Sequence, residues 1–412
     1  MITEPRFWRK DKWMKILKNY KESLLLLGGM LIGGIAGWIA GPAIQVVKPL
    51  ADMFLHLMFC IAVPMVFVSI VCSIANLKDG KEAGKLLSWT AFFFVVTIAI
   101  AAVVFTFVYG FLDAAKGAAL AGDIVAEEMQ EIQIDILGQL TVSDFKDLWS
   151  VKQLLAVVVF ALLTGFSMRS LGQAAEPVLK VFNSLNAVIS KFINMIMKFA
   201  PIGLGCYFAV FIGTNGSDTA GPMMKIAMVT WIGAFVYLAI AHTIYAFIAN
   251  GTAGIKTFWT SMIGPFLTAL GTCSGAASVP ANVEAAKKAG IDDNVSSIVM
   301  PLGCNLHKEG TAIMVAMTVS FECALLGLNY FDPQILLTCI LMSIIYPFVA
   351  GAIPNGGPFL LFSVFGWPME TFAAVMALHT ITDAPTTTIN VVGDLAAGML
   401  IEKQLKRSAA KE

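Results

Sequence analysis

Charged side chains are scarce in this sequence, at 13% of its 412 residues, whereas soluble domains carry about a quarter. Hydrophobic residues reach 58%. A water-soluble fold of this composition would need an unusually large buried core, which argues against that class. Positive and negative side chains are balanced at 27 each, so the net charge gives no indication of nucleic-acid binding.

Paired cysteines and enzyme signatures are also missing. The seven cysteines lie in or beside apolar segments without a C-x-x-C pair, which supports neither a metal site nor a disulfide framework. There is no phosphate-binding loop, so ATP-driven pumping is not indicated. We find no Ser–Lys or paired-Asp protease signature and no H-x-x-x-H metal pair. We therefore expect a protein that is not an enzyme and needs no tightly bound cofactor.

Long apolar runs are what the sequence has instead. A helix needs about 20 apolar residues to cross the hydrocarbon core of a bilayer. Two shorter apolar pairs, around Phe258–Ala286 and Ile335–Trp367, are interrupted in the middle. The sequence thus predicts an all-α integral membrane protein with eight crossings, which are Leu24–Ile44, Leu50–Ala75, Leu87–Phe111, Leu154–Leu171, Val181–Ile212, Met224–Ala249, Ser297–Leu325 and Thr371–Leu400.

The basic residues predict the orientation, because Lys and Arg favour the cytoplasmic side. They are dense between Arg6 and Lys21, before the first crossing, and recur between Lys78 and Lys85 and in the C-terminal tail. The third connection is acidic instead. Both termini should therefore be cytoplasmic in a multi-pass protein of the cytoplasmic (inner) membrane. Residues 1–21 are predicted to form a cytoplasmic amphipathic segment, with a disordered anchor as the alternative.

Glycines recur every four residues in the first crossing, at Gly29, Gly33, Gly37 and Gly41. Such a row removes side chains from one helix face and allows another helix to approach closely. We interpret it as a packing feature without chemical function.

The two interrupted segments carry small and hydroxyl-bearing residues at their centres. These centres are Gly271–Pro280 and Gly351–Pro358. Non-helical backbone at membrane depth is tolerated only where protein buries it or a cavity hydrates it. Re-entrant hairpins satisfy this condition and point helix ends at a ligand, and two of them separated by a full span suggest an inverted repeat. The alternative is two ordinary interhelical loops.

Ionisable residues lie inside the seventh crossing, where His307, Lys308 and Glu309 are consecutive. A regular helix would spread them around its circumference and expose one to lipid, at about 3 kcal/mol near the midplane. We therefore predict an unwound stretch from near Gly303 to near Gly310.

The last crossing carries a second polar group of residues. His379, Asp383, Thr387, Asn390 and Asp394 follow one another at helical spacing and form one stripe. Such a stripe in a membrane helix indicates a functional site. A structural alternative is that Lys308 pairs with Asp383 or Glu309 only to neutralise buried charge.

Four motifs resemble the glutamate transporter family of dicarboxylate and amino acid:cation symporters. Cys273–Pro280 matches its serine-rich hairpin, and Pro301–Thr311 matches its PLGxxxNMDGT signature without a gap. Asp383–Asp394 matches DxxRTxxNxxGD, and Lys198–Gly203 is similar to the fifth span. The resemblance implies eight transmembrane helices plus two re-entrant helical hairpins, inverted repeats, a homotrimer and an elevator-type mechanism.

The resemblance also implies a division of the chain. Residues 22–254 would be mainly scaffold and trimerisation spans, with spans 3 and 6 packing against the transport part. Residues 255–405 would form the transport core with both hairpins and spans 7 and 8, and residues 406–412 a cytoplasmic tail.

Roles carried over from the family assign a substrate site. Asp383 would bind a substrate ammonium group, while Asn390 and the hairpin backbones would hold a carboxylate. The substrate-binding candidates are Ser274, Gly275, Thr311, Pro354, Asn355, Gly356, Asp383, Thr386, Thr387 and Asn390.

The family also implies cation sites. Gly303, Asn390 and Asp394 match one sodium site, so sodium and protons are the candidate coupling ions. The cation and coupling candidates are Thr97, Gly303, Asn305, His307, Lys308, Glu309, Asn390 and Asp394.

Departures from the family pattern bear on the substrate. Thr386 replaces the arginine that grips an acidic side chain, and Cys273 replaces an arginine of some first hairpins. An acidic substrate without a bidentate cation would be poorly compensated in a dry site, so we favour a small neutral amino acid. An acidic amino acid or a C4-dicarboxylate is the alternative, with Lys308 as the missing cation.

Other departures bear on coupling. His307, Lys308 and Glu309 replace the Asn, Met and Asp of the family signature, and Phe94 and Ile98 replace a sodium-coordinating Tyr and Ser, leaving Thr97. A lysine ammonium in this cavity would replace the ion. We therefore predict coupling to protons, or partial or absent sodium coupling, with exchange, facilitated passage and an ion channel as alternatives.

Overall fold

The computed structural model describes residues 21–76, 81–118, 138–216, 219–350 and 358–409. These ranges are mostly helical and contain no β-strand. The all-helical class is therefore confirmed for the described part of the chain. Four stretches within it are long and apolar enough to cross a membrane, namely Gly28–Ala75, Gly84–Leu112, Val151–Ile196 and Ala220–Ser261.

The first half of the described chain forms six α-helices. A 3₁₀ turn at Gly41–Val47 joins the first two, and another at Gly172–Ala175 joins the fourth and fifth. The helices are α1 (Lys21–Ala40), α2 (Lys48–Ala75), α3 (Lys81–Leu112), α4 (Leu154–Leu171), α5 (Glu176–Ile196) and α6 (Ala200–Asn215).

The second half of the described chain forms nine α-helices. A π-helical turn at Leu238–His242 joins the first two, and a 3₁₀ turn at Met369–Thr371 precedes the last, which is also the longest. The helices are α7 (Ala220–Tyr237), α8 (Thr243–Ser261), α9 (Ile263–Thr272), α10 (Gly275–Lys288), α11 (Asp293–Leu306), α12 (Glu309–Leu325), α13 (Pro333–Ala350), α14 (Phe359–Phe365) and α15 (Phe372–Ala409).

The predicted crossing Val181–Ile212 is not one continuous helix. α5 ends at Ile196, and α6 begins at Ala200 with Pro201 in its first turn. Proline lacks an N–H group and clashes with the preceding turn, so it fits the first turn of a helix best. The crossing is therefore divided, and the number of eight crossings stays a prediction.

The glycine row in α1 brings this helix into backbone contact with α6. A Cβ atom added to Gly33 would collide with the carbonyl oxygen of Gly205, and Gly29 and Gly37 face carbonyl oxygens of α6 in the same way. The predicted close approach is confirmed for these three residues. Gly41 differs, because it lies in the 3₁₀ turn with a positive φ of 55° and its Cβ position is open.

The first interrupted segment is a helical hairpin. α9 ends at Cys273, whose left-handed backbone (φ 49°, ψ 33°) reverses the chain. Ser274 begins α10, and its side-chain oxygen accepts a hydrogen bond from the Ala277 N–H at 3.2 Å. Such a serine cap satisfies one of the N–H groups left free at a helix start. A re-entrant position for this hairpin stays a prediction.

The second interrupted segment separates α13 from α14. Its centre, with Pro354, Asn355 and Gly356, lies outside the described residues, as does the predicted amphipathic segment up to residue 20.

The seventh predicted crossing is broken over a shorter stretch than predicted. Helical structure continues through Gly303 to Leu306 and resumes at Glu309, so only His307 and Lys308 are outside it. The Gly303 carbonyl still accepts a regular helical hydrogen bond from the His307 N–H, at 2.9 Å. The unwinding predicted from Gly303 to Gly310 is wrong in extent, because two extended residues suffice to redirect the side chains.

The helices pack in two groups. α1, α2, α4, α5 and α6 contact one another, whereas α3 and α7 to α12 pack around the long helix α15. The domain boundaries at residues 22, 255 and 406 stay predictions. What the packing establishes is that α11, α12 and α15, which carry most candidate site residues, are direct neighbours.

Candidate functional site

α12 and α15 run past each other with their polar residues facing. A Cβ atom on Gly310 would collide with the backbone of Thr386, so only glycine permits the helices to approach this closely. One turn further along α12, the Thr386 hydroxyl lies 3.2 Å from the Met314 sulfur. The consecutive contacts form an antiparallel seam that brings the seventh-span and last-span motifs together.

Asn390 caps the start of α12 from the neighbouring helix. Its Oδ1 accepts hydrogen bonds from the backbone N–H groups of Gly310 at 2.7 Å and Thr311 at 3.2 Å. The N–H groups at a helix start lack regular intrahelical partners, and the Thr311 N–H is shared with the Lys308 carbonyl at 3.1 Å. Asn390 therefore fixes the geometry of the helix break, and its Nδ2 lies 3.4 Å from the Thr311 hydroxyl. A role in substrate binding stays a prediction for both residues.

Asp383 lies one turn before Thr387 on α15. The Thr387 hydroxyl donates to Asp383 Oδ1 at 2.8 Å. Asp383 Oδ2 has no hydrogen bond to a described residue, and the side chain is partly exposed. An ionised carboxylate accepts up to four hydrogen bonds, so this group retains capacity for a cationic ligand.

Lys308 does not neutralise the cluster. Within the described residues, no carboxylate lies within 4.0 Å of its ammonium group, and the residue is partly exposed. The alternative that Lys308 pairs with Asp383 or Glu309 is therefore wrong in this structure. Lys308 is the N-cap residue of α12, and its charge acts on Asp383 and Asp394 without an ion-pair contact.

His307 occupies the centre of the buried ionisable cluster. Its Nδ1 lies 3.0 Å from Asp394 Oδ1, and its Nε2 lies 2.7 Å from the Thr97 hydroxyl and 3.3 Å from Glu309 Oε1. The ring stacks on Phe94 with centroids 4.4 Å apart. His307 and Glu309 are both 0% exposed. The imidazole therefore fills the space among three oxygen-bearing side chains.

The hydrogen bonds around His307 bear on its protonation. The Thr97 hydroxyl lies 3.0 Å from the Phe93 carbonyl, and when it donates its proton there it accepts from His307 Nε2–H. Nδ1 faces the carboxylate of Asp394, which as an anion only accepts. With both of these hydrogen bonds the ring is an imidazolium, and the contacts suit a cation between two carboxylates.

Glu309 is held from its other side by His242. The distance from His242 Nε2 to Glu309 Oε2 is 2.9 Å, and both side chains are fully buried. His242 ends the π-helical turn after α7, and such turns are frequent at functional sites. Our sequence interpretation missed His242, although an imidazole inside the predicted crossing Met224–Ala249 was the signal that could have revealed it.

The position of His307 does not suit a sodium ion. Hard cations need several oxygen ligands, but Asp394 Oδ1 is already paired with the imidazole. Ile98 is fully buried and offers no oxygen. Gly303 lies so close to Asp394 that a Cβ atom there would overlap the carboxylate. The three-residue sodium site at Gly303, Asn390 and Asp394 stays a prediction, with one of its carboxylate oxygens committed to His307.

Thr386, at the position of the family arginine, provides no charge. Its hydroxyl donates to the Thr382 carbonyl at 2.8 Å, and the residue is 1% exposed. Asn305 is exposed and donates to the Pro301 carbonyl of its own helix at 3.2 Å, so no described contact joins it to the His307 cluster.

The tip of the α9–α10 hairpin lies against α11. A Cβ atom on Gly275 would lie 3.2 Å from the Cys304 sulfur, one turn before His307. Ser274 precedes Gly275 and is partly exposed. The structure thus brings this tip next to the helix break, while the contacts of Ser274 with a substrate stay a prediction.

Comparison with known proteins identifies the family of the chain. A model of the sodium:dicarboxylate symporter family matches residues 23–404. The C4-dicarboxylate transport protein of Bacillus subtilis (strain 168) is 24% identical over 95% of this chain and 94% of its own length. The proton/glutamate-aspartate symporter of the same organism is 25% identical over 94% and 95%. Neutral amino acid transporter A of Homo sapiens is 28% identical over 63% of this chain and 49% of its own length.

Proposed function

Because the chain belongs to the sodium:dicarboxylate symporter family, whose members are transporters and not enzymes, we propose that it carries a small neutral amino acid with protons, and not sodium, as the coupling ion. Similarity to relatives supports a dicarboxylate or amino acid:cation symporter. The named relatives include carriers of both acidic and neutral substrates, so the narrower proposal depends on the residues of the site.

The substrate proposal depends on which charges the site offers. Asp383 has an oxygen without a described partner, which suits an ammonium group. Thr386 is neutral and turned toward its own helix and Met314, so a second carboxylate on the substrate would find no bidentate cation there. A zwitterion with an uncharged side chain matches this set.

A second candidate substrate is an acidic amino acid or a C4-dicarboxylate. It is favoured by Lys308, whose ammonium is partly exposed and not paired with a described carboxylate. Binding of a dicarboxylate without an amino group would require Lys308 and would leave Asp383 uncompensated. A channel is disfavoured, because filters use rings of identical groups and this site is asymmetric.

The observation that carries the coupling proposal is the buried His307 ring, 3.0 Å from Asp394 and 3.3 Å from Glu309, a position that suits an imidazolium. A protein-borne cation there supplies the positive charge that a bound ion would otherwise supply. We had expected Lys308 to fill this position, but His307 has the contacts. Loss of one cation site weakens dependence on sodium. A relative named as a proton symporter supports protons as the alternative driving ion, while other relatives are named as proton/sodium symporters.

Transport into proteoliposomes tests the proposal. A thermal-shift screen against amino acids and dicarboxylates first identifies the compound that stabilises the purified protein most. Uptake of that compound is then measured with an inward proton gradient in choline medium, and with an inward sodium gradient at equal pH. We expect a neutral amino acid, accumulation with the proton gradient alone, and no added effect of sodium. Strict sodium dependence without a response to the proton gradient would contradict the coupling proposal.

A further inference from the structure

Glu322 is a buried acid outside the cluster around His307. It lies in the last turns of α12 and is 0% exposed. Its Oε2 lies 2.9 Å from the Thr371 hydroxyl, while Oε1 has no hydrogen-bond partner in the described residues. No described Lys, Arg or His lies within 4.0 Å of this carboxyl group. Among the described residues, the group is therefore a buried carboxyl without a compensating cation.

The hydrogen bonds of Thr371 indicate that Glu322 holds a proton here. The Thr371 hydroxyl has one hydrogen, and the Pro368 carbonyl lies 3.0 Å from it. If Glu322 is protonated, its O–H donates to Thr371, which donates to Pro368, and each donor has an acceptor. If Glu322 is ionised, a buried charge remains with a single hydrogen bond, which is costly without a cation.

The surroundings of Glu322 make ionisation dependent on a change of structure. Thr371 ends the 3₁₀ turn that joins α14 to α15. Phe372, next to it, stacks on Phe359 of α14 with centroids 4.7 Å apart and contacts Phe362 at 5.1 Å. Water that reached Glu322 past Thr371 would have to enter beside this aromatic packing of Phe372 against α14. The acid is thus connected to α14 through Thr371 and its neighbour Phe372.

A polar seam leads from Glu322 toward the candidate substrate site. One turn earlier on α12, the Thr318 hydroxyl donates to the Met314 carbonyl at 2.8 Å and so accepts from His379 Nε2, 2.7 Å away. His379 lies one turn before Asp383 on α15. Titratable groups on the helices that pack against α12 include Lys85 and Tyr109 of α3, Lys225 and Tyr237 of α7, Cys339 and Tyr346 of α13, and His379, Asp383 and Asp394 of α15. Cys323 and the exposed Glu370 lie near Glu322 in the chain, and the described side-chain hydrogen bond of Glu322 is with Thr371.

We propose that Glu322 binds and releases the proton that moves with the substrate. This inference rests on the proposed function, because it assigns the coupling proton to a residue. His307 is held as a cation by three neighbours, so it is the fixed charge of the site. Glu322 changes between a neutral acid that is buried and hydrogen bonded to Thr371, and a carboxylate when this side of the protein opens to water. The step transfers one proton and breaks no other bond.

Glu322→Gln tests this proposal, because glutamine keeps the shape of the side chain but cannot release a proton. Its amide N–H can donate to Thr371 as the acid does. We expect substrate counterflow at symmetric pH to persist and uptake driven by a proton gradient to fall at least tenfold. Glu370→Gln, at the exposed residue beside Thr371, is the matched control and should behave as wild type. Proton-driven uptake by Glu322→Gln at the wild-type rate would overturn the proposal.

A second measurement does not need the substrate. Infrared spectra of wild type and Glu322→Gln at neutral pH should differ by the carbonyl band of a protonated carboxylic acid. Absence of that difference would overturn the proposal, even if the variant transports poorly. Failure of wild type to respond to a proton gradient would instead contradict the proposed function, and the infrared result would still decide the state of Glu322.

A third variant keeps the acid and changes its neighbour. Thr371→Val removes the hydrogen bond that the described residues offer to an ionised Glu322, and hydrogen bonds to charged groups are the stronger ones. Protonated Glu322 should become more stable relative to its carboxylate. The pH above which proton-driven uptake declines should therefore be higher than in wild type. An unchanged pH profile in a folded Thr371→Val protein would count against a role for Glu322.

Discussion

At the scale of single residues, His307 depends on where its two nitrogens point. Nδ1 contacts Asp394, Nε2 contacts Thr97, and Phe94 stacks on the face of the ring. A buried imidazolium is stable only while its carboxylates are ionised, and the carboxylates are stable only while the imidazolium is present. The three side chains therefore stabilise one another, and removing the His307 ring should destabilise Asp394 and Glu309 as well.

His307→Asn should convert this cluster into a weaker, ion-requiring one. It leaves Asp394 and Glu309 without the cation between them, which should lower the free energy of unfolding by about 3–5 kcal/mol. The shorter amide leaves space and adds an oxygen, so sodium chloride should raise the Tm of the variant, relative to choline chloride, and leave wild type unchanged. Thermal unfolding in both salts measures this.

His379→Asn is the matched control for that measurement. His379 is also a histidine of the α12–α15 seam, but its described contact is with Thr318 and not with a carboxylate. We expect no sodium-dependent change in its Tm. A sodium effect of equal size in both variants would show that the response does not arise at the His307 position.

Most ionisable residues of the seventh and last crossings could be identified from the sequence, because charges inside apolar runs are conspicuous and their spacing matches family motifs. Glu322, also inside the seventh crossing, lies outside those motifs and was missed. The contacts among these residues could not be predicted from the sequence. His307 and Lys308 are adjacent in the chain, yet one is enclosed and the other is not paired with a described carboxylate. The choice depends on backbone angles at a two-residue break, which residue type alone does not determine.

At the scale of elements, the contact between α1 and α6 depends on missing side chains. Gly29, Gly33 and Gly37 let the carbonyl oxygens of α6 lie directly against α1. Close backbone approach increases van der Waals contact between helices in a bilayer, where the hydrophobic effect does not drive them together.

Gly33→Ala should destabilise the protein, because a single methyl group would overlap the Gly205 carbonyl. Overpacking of this kind costs about 1–3 kcal/mol. Gly28→Ala is the matched control on the same helix, where nothing lies within 4 Å of the added Cβ, and it should be neutral or stabilising by up to about 1 kcal/mol. Thermal unfolding in detergent compares them. Equal Tm values for the two variants would contradict the close contact.

Helix boundaries were less predictable than helix contacts. Hydropathy alone predicts α5 and α6 as one run, because it does not show where an apolar stretch bends. Pro201 was the residue that indicated a helix start. The α9–α10 hairpin was predictable, since small residues and Ser274 interrupt an otherwise apolar segment. The length of the break before α12 was overestimated, because Gly303 permits unwinding without requiring it.

At the scale of the whole molecule, α5 is poorly covered. It exposes an apolar row with helical spacing, and Ser184, Lys191 and Asn194 are exposed on the same helix. Polar groups are costly against lipid, so we expect copies of the chain to cover this helix in the predicted homotrimer. The exposed apolar residues of α5 are Val178, Val181, Leu185, Val188, Phe192 and Met195.

Val188→Trp should weaken that assembly. Val188 is 64% exposed, and a tryptophan would separate two packed surfaces there, whereas lipid would tolerate it. Ile232→Trp on α7, where Ile232 is 65% exposed, is the matched control. Light scattering in detergent should give three times the 44.2 kDa chain mass for wild type and the control, and a smaller mass for Val188→Trp. A monomeric wild type would contradict the trimer.

Membership of a helical membrane transporter class could be predicted from composition and motifs, since both extend along the whole chain. Substrate and assembly could not be derived in the same way. Substrate choice depends on a few atoms, such as the direction of the Thr386 hydroxyl, and assembly depends on surfaces whose partners are other copies.

The enclosed imidazolium of His307 also has an electrical consequence. A dissolved cation that enters with the substrate crosses the membrane voltage once and stays inside, which contributes about 2.3 kcal/mol per charge at 100 mV. A cation bonded to the polypeptide returns with the empty carrier, so its net displacement over a cycle is zero. With a fixed cation here in place of a transported one, the membrane voltage would drive roughly fiftyfold less accumulation of the substrate. Transport would then be independent of the salt outside the cell at this position.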